Sequence, residues 1–261
     1  MKTRIITAIV ALAIFLPIVF FGGIWIKIAA LVLSVIAMSE VLIMKKILLV
    51  SPEAAISLLG TLILTAPKAW LTFLPSHFND LTIFVLFTIL LLIRVVISKN
   101  RFTFDDAGVL SLMMMYISFG FNLFVQARTV GLGMLFYLLL TVWVTDSGAY
   151  FIGRRFGKHK LIPQISPNKT WEGSIGGTLV AVIVGIVFAM SGIVHLNILM
   201  AILTTLVLSV AGQYGDLIES SLKRYYGVKD SGKILPGHGG ILDRFDSLLL
   251  VLPLAYFIGL I

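Results

Sequence analysis

The chain is predicted to be an all-α, polytopic integral membrane protein of about nine transmembrane helices, N-terminus in and C-terminus out. Three observations predict this. First, 59% of its 261 residues are hydrophobic and 12% are charged, and a mean hydropathy of +1.07 excludes an ordinary soluble domain. Second, the apolar residues fall into segments of roughly the 20 residues needed to cross about 30 Å of hydrocarbon. Third, the basic residues gather on alternate sides of those segments.

Taken in order, the expected spans are 5–21, 24–44, 54–74, 80–98, 108–125, 130–151, 174–191, 196–220 and 241–260. The first is too long for a signal-peptide core, and no small-residue cleavage site follows it, so it reads as a span. The breaks carry turn and charge signals: Gly22-Gly23, Lys45 to Pro52, Pro75 to Asp80, Lys99 to Gly108, Gln126 to Arg128, Arg154 to Glu172, Ser191 to His195, and the polar stretch after Ser220. There are no cysteines, which excludes disulfides and thiolate metal sites. No internal repeat is visible. Residues 1–128 read as a transmembrane scaffold. Residues 129–261 read as a catalytic transmembrane region with cytoplasmic loops 152–173 and 221–240.

With the N-terminus inside, the inner face collects Lys2, Arg4, Lys45, Lys46, Lys99, Arg101, Arg154, Arg155, Lys158, Lys160, Lys169, Lys223, Arg224, Lys229, Lys233 and Arg244, with Arg94 near an inner end. Lys27, Lys68 and Arg128 fall toward the outside. That asymmetry predicts the orientation. It also accounts for the net charge of +8 without nucleic acid, for which no soluble basic domain exists. The isolated Lys27, Lys68 and Arg94 are expected to snorkel toward an interface, and the run Met113 to Met115 to face lipid or core. Glu40, near an inner end, has no evident role.

The chemistry is concentrated in the second half. Asp216 and Glu219 are spaced i, i+3 and share a helical face with Ser220. Asp243 and Asp246 repeat the spacing at the start of the last span. Two helix ends with carboxylates at one level suit a hard cation such as Mg²⁺, which takes one or two carboxylates together with phosphates and water. Lys223, Arg224, Lys229, Lys233, His238 and Arg244 crowd into a short stretch, and such cations hold phosphate. Gly237, Gly239 and Gly240 would let backbone N–H groups approach an anion ahead of a helix N-terminus. Asp146 lies inside an apolar span, which marks it as a functional candidate. Lys169 and Thr170 precede a helix carrying Gly173, Gly176 and Gly177. The Lys suits a phosphate, and the glycines suit either a phosphate or close helix packing.

Ser220 to Asp246 reads Ser-x-hydrophobic-Lys-Arg, four residues, Lys-Asp, then Pro-Gly-His-Gly-Gly and Asp-Arg-x-Asp. This resembles the signature of the phosphatidate cytidylyltransferase family, also called CDP-diglyceride synthetases, at every position. Gly215–Ser220 and Ser166–Gly173 are similar to that family too. The resemblance is strong over about 141–250 and rests on hydrophobicity alone before that. It implies Mg²⁺-dependent transfer of CMP from CTP to phosphatidic acid, giving CDP-diacylglycerol and pyrophosphate. Asp216, Asp243 and Asp246 would then hold one or two cations. Lys223, Arg224, Lys229, His238 and Arg244 would clamp CTP and the departing pyrophosphate, with Ser220, Gly239 and Gly240 beside them. Lys169 would take the triphosphate or the lipid headgroup. The resemblance also implies a homodimer in the inner (plasma) membrane, with its active site facing the cytoplasm.

Other functions fit less well. An intramembrane prenyltransferase would carry two Asp-x-x-x-Asp-like motifs, and a CDP-alcohol phosphotransferase a longer Asp-Gly-x-x-Ala-Arg motif. Neither is present. A transporter would show related halves with charges near the membrane midplane, whereas these charges cluster at one face of one half.

Overall fold

The computed structural model describes residues 2–75 and 77–261, with side chains from residue 6 onward. Lys2 and Arg4, counted above among the inward basic residues, and Ser76, in the break before Asp80, lie outside the described side chains. The described residues form nine α-helices: α1 (Lys2–Phe21), α2 (Gly23–Met44), α3 (Pro52–Thr65), α4 (Asp80–Ile97), α5 (Phe104–Val130), α6 (Leu132–Phe156), α7 (Trp171–Met190), α8 (Ile198–Tyr225) and α9 (Leu242–Phe257). Six of them, α2 and α4 to α8, are long and apolar enough to cross a membrane, which makes this a multi-pass membrane protein.

Two expectations need correction. The third span was expected to run to residue 74, but α3 stops at Thr65 after 14 residues. Ala66 precedes Pro67 and adopts extended backbone with ψ 139°, because the proline ring disfavours the helical region for its neighbour. At 1.5 Å per residue α3 covers only about 21 Å. The nine helices bear out the all-α reading, and a small antiparallel hairpin lies between α6 and α7, formed by β1 (Lys160–Ile162) and β2 (Ser166–Thr170) with Lys160 opposite Thr170. The fifth span, expected to be short, is instead the 27-residue α5.

Several helix starts follow from capping side chains. Ser51 accepts a hydrogen bond from Ala54 N–H with Pro52 in the first turn, and Asn79, Thr170 and Asn197 cap α4, α7 and α8 in the same way. Each satisfies an N–H that the helix itself leaves open. At its other end α8 closes with Gly227 at φ 68°. There Val228 N–H reaches Lys223 C=O at 2.9 Å and Gly227 N–H reaches Arg224 C=O at 3.0 Å, which is a Schellman stop.

The chain divides into two compact units, Met1–Val125 with Asp230–Leu242, and Gln126–Lys229 with Asp243–Ile261. In the first, Leu64, Ile83, Phe87 and Met114 form a buried cluster. Met113 and Met114 are core and Met115 is exposed. Two charges expected to stand alone are paired here: Arg94 Nε binds Glu53 at 3.0 Å and Lys68 binds Asp80 at 3.0 Å. Lys45 also binds Asp106 at 2.8 Å. Glu40 on α2 is 2% exposed. It accepts hydrogen bonds from Ser231 Oγ at 2.9 Å, Ile241 N–H at 2.7 Å and Leu242 N–H at 2.8 Å.

In the second unit α6 and α7 meet along small residues. A Cβ on Gly173 would lie 2.6 Å from Ala149 C=O, and one on Gly177 would run into Thr145 C=O. Glycine is therefore required for this backbone approach, which is how membrane helices gain contact without a hydrophobic drive. Polar groups link the same helices to α8. Tyr137 OH lies 2.9 Å from Thr204 Oγ1 and 2.7 Å from Thr205 Oγ1, and Thr145 Oγ1 donates to Ser209 Oγ at 2.8 Å. Ser209 Oγ and Gln213 Nε2 each reach Thr178 Oγ1 at 3.0 Å.

Candidate active site

The last three turns of α8 carry Asp216, Glu219, Ser220 and Lys223 at i, i+3, i+4 and i+7, which is one face of a helix. The first turn of α9 carries Asp243, and Asp246 follows one turn on. These two helices come into direct backbone contact at Gly215, where a Cβ would lie 2.6 Å from Asp246 C=O and 2.8 Å from Ser247 Cα. That approach brings the two acidic faces together.

Lys223 lies between them. Its Nζ is 2.5 Å from both Glu219 Oε2 and Asp243 Oδ1, and the side chains of Lys223, Glu219 and Asp243 are 11%, 4% and 6% exposed. Lys169, at the end of β2, reaches Asp216 Oδ2 at 2.5 Å, and Ser220 Oγ donates to Asp216 Oδ1 at 3.1 Å. Asp246 Oδ1 accepts from Ser247 N–H at 2.7 Å. Asp146, on α6, interacts electrostatically with Asp216, Asp246, Lys169 and Arg244. Five carboxyl groups and three cations are thus gathered in this region. Among the described residues Asp146 and Asp246 take part in no ion pair with Lys or Arg, and no three His, Asp or Glu side chains converge as a ready-made metal cage.

The site residues expected from sequence separate as follows. Asp216, Ser220, Lys223, Asp243, Asp246 and Lys169 are brought together. Lys223 and Lys169, expected to hold phosphate, are bound here to carboxylates. Arg224 is exposed and donates to Ile165 C=O at 3.3 Å and Val228 C=O at 3.4 Å. Lys229 and Arg244 are exposed. His159 and Glu172 pair across the base of the hairpin at 2.6 Å.

His238, Gly239 and Gly240 belong to the other unit. There Leu235-Pro236-Gly237-His238 forms a tight turn, closed by His238 N–H to Leu235 C=O at 2.8 Å. Pro236 presets the second position, and Gly237 takes φ 78° at the third, as a type II turn requires. His238 Nδ1 is buried with no hydrogen-bond partner among the described residues. Gly240 faces the Glu40 carboxylate, so an anion already lies beside this glycine. Glu40 was invisible as a site residue in the sequence. Its one signal was an ionisable group in an apolar span.

Helices α8 and α9, with the hairpin lysine, thus define a multi-pass membrane protein with a carboxylate–lysine centre at the ends of its helices. The chain matches the model of the cytidylyltransferase family over residues 2–261, and it belongs to that family. It is 47% identical over 257 residues to the phosphatidate cytidylyltransferase of Staphylococcus haemolyticus (strain JCSC1435), covering 97% of each chain. It is 46% identical to that of Staphylococcus epidermidis (strain ATCC 12228 / FDA PCI 1200) and 45% identical to that of Staphylococcus aureus (strain COL), with the same coverage.

Proposed function

We propose that this chain is a phosphatidate cytidylyltransferase, transferring CMP from CTP to phosphatidic acid. The observation that carries the reading is Lys223 bridging Glu219 and Asp243 beside the unpaired Asp246 and Asp146. The names of the relatives and the unbroken Ser220–Asp246 signature support it.

An oxygen of the phosphatidate phosphate attacks the α-phosphorus of CTP, and its electron pair forms the new P–O–P link. The bond from the α-phosphorus to the bridging oxygen breaks, and that electron pair leaves with pyrophosphate. No covalent enzyme intermediate is needed, so the protein's task is alignment and charge neutralisation. Lys169, Lys223 and Arg244 supply positive charge to the phosphates. Asp216, Glu219 and Asp243 hold two of those cations in fixed positions before substrate arrives.

The donor set fits Mg²⁺. Such an ion needs only one or two carboxylates when it is shared with phosphates, and Asp246 and Asp146, which stand outside the ion pairs with Lys169 and Lys223, would provide them. When bound, Mg²⁺ would neutralise phosphate charge and draw electron density from the attacked phosphorus.

The test is pyrophosphate release from CTP by the purified chain in mixed micelles, with phosphatidic acid and Mg²⁺ each present or omitted. Release should require both. Asp243→Asn should lower it about a hundredfold or more, the usual scale for removing one preorganised electrostatic group. A folded wild type that releases nothing would refute the assignment.

The basic-residue asymmetry further supports an N-in, C-out arrangement in the plasma membrane, with residues 152–173 and 221–240 toward the cytoplasm. The chain has no cysteine, so single cysteines report orientation cleanly. In intact cells an impermeant maleimide should label His195→Cys and spare Lys158→Cys. The reverse pattern would invert the topology.

A further inference from the structure

We propose that Glu40 is a positioning residue for the reaction. In this reading it fixes the segment Asp230–Leu242 and the start of α9, and so sets where Asp243 stands. The proposal rests on the cytidylyltransferase reading of the site.

The first N–H groups of any helix have no partner within it. At α9 Glu40 reaches across from α2, accepting from Ile241 N–H through Oε1 and from Leu242 N–H through Oε2, over 201 and 202 residues of sequence. Ser231 Oγ donates to the same carboxylate, so both ends of the segment are tied to one side chain. A carboxylate at a helix N-terminus is further favoured by the helix dipole. The hydrogen bonds also offset the cost of burying its charge.

The glycines of the segment fit the same role. A Cβ on Gly232 would have Glu40 Oε1, Cδ and Cγ as its three nearest atoms, at 2.7, 2.9 and 3.0 Å. A Cβ on Gly240 would run into Ser231 Oγ and the same carboxylate. Neither glycine has positive φ, so what excludes a side chain at these two positions is Glu40, not backbone conformation. Leu242, whose N–H is held, is bonded directly to Asp243, the residue that shares Lys223 with Glu219. Any shift in where α9 begins is therefore passed along the backbone to that carboxylate.

The experiment uses the full chain in detergent, comparing wild type with Glu40→Gln, Glu40→Ala, Gly232→Ala and the double variant Glu40→Ala/Gly232→Ala. Glu40→Gln keeps the shape but turns an acceptor into an amide donor facing N–H or O–H groups. It should leave the melting temperature close to wild type while speeding hydrogen exchange in peptides covering residues 230–242. It should also raise the KM for CTP roughly tenfold, since a misplacement of about 1 Å is felt at that scale or more, with the KM for phosphatidate little changed. A merely structural role would lower the fraction of active protein and leave both KM values alone. Gly232→Ala should reproduce the effect and add nothing once Glu40 is Ala. Unchanged exchange in the Glu40 variants, or faster exchange with an unchanged KM for CTP, would overturn the proposal. A wild type that releases no pyrophosphate would sink the reaction reading and the proposal together, whereas an active wild type beside unaffected Glu40 variants would sink the proposal alone.

Discussion

Replacing Lys223 with Met should abolish turnover and destabilise the fold. The ammonium is the shared partner of Glu219 and Asp243, both nearly buried. Removing it leaves two carboxylates with their charge uncompensated. Breaking a buried pair in this way costs about 3–5 kcal/mol. Methionine matches the length of the lysine stem, so lost packing contributes little. The melting temperature in detergent should fall by on the order of 10 °C, and CTP-dependent pyrophosphate release should drop about a thousandfold. Lys223→Arg keeps the charge and should retain part of the stability, but its broad planar head cannot sit between two carboxylates at the lysine distances. A Lys223→Met variant that melts like wild type would show that the ammonium does not hold the two helices.

Gly215→Ala should be nearly as damaging to activity although it adds a single methyl. Its Cβ would meet backbone of α9, with Asp246 C=O at 2.6 Å and Ser247 Cα at 2.8 Å. Backbone cannot rotate aside as a side chain can, so α8 and α9 must separate. Overpacking of this kind costs about 1–3 kcal/mol. The larger effect should be on kcat, because Asp216, the next residue, moves relative to Asp246. Mixed-micelle kinetics beside a melting curve would distinguish the two. A kcat reduction of about a hundredfold with a modest loss in melting temperature is expected. Wild-type kinetics would mean that the spacing of the two acidic faces does not matter.

Most of the helical layout was legible, because apolar segments separated by Gly, Pro and charge leave few alternatives in a membrane. The end of α3 was misjudged by giving hydropathy priority over Pro67, whose steric effect on Ala66 ends the helix first. The hairpin of β1 and β2 left almost no trace. Its strands have 3 and 5 residues, one includes Pro167, and neither shows alternation long enough to read.

The acids of α8 and α9 were legible through their i, i+3 spacing. The partnership of Lys223 was written in the sequence as a Glu219–Lys223 pair at i, i+4, yet a lysine beside an arginine reads more readily as a phosphate ligand. Gly237 was read as an opening for an anion, whereas Pro-Gly at those positions is first of all turn chemistry. Glu40 was beyond reach. Nothing local says that a carboxylate on α2 will meet backbone about two hundred residues later.

The placement of Glu219 one turn before Lys223 also bears on how the protein is made. A buried lysine at the inner end of a nascent membrane helix is costly unless a counter-charge lies beside it. Helix α8 carries its own, so it can leave the translocon as a neutral unit before α9 has been synthesised. Asp243 arrives twenty residues later and takes up the second side of an ammonium already in place. The centre can therefore be assembled in chain order, with the final helix as the piece that closes it.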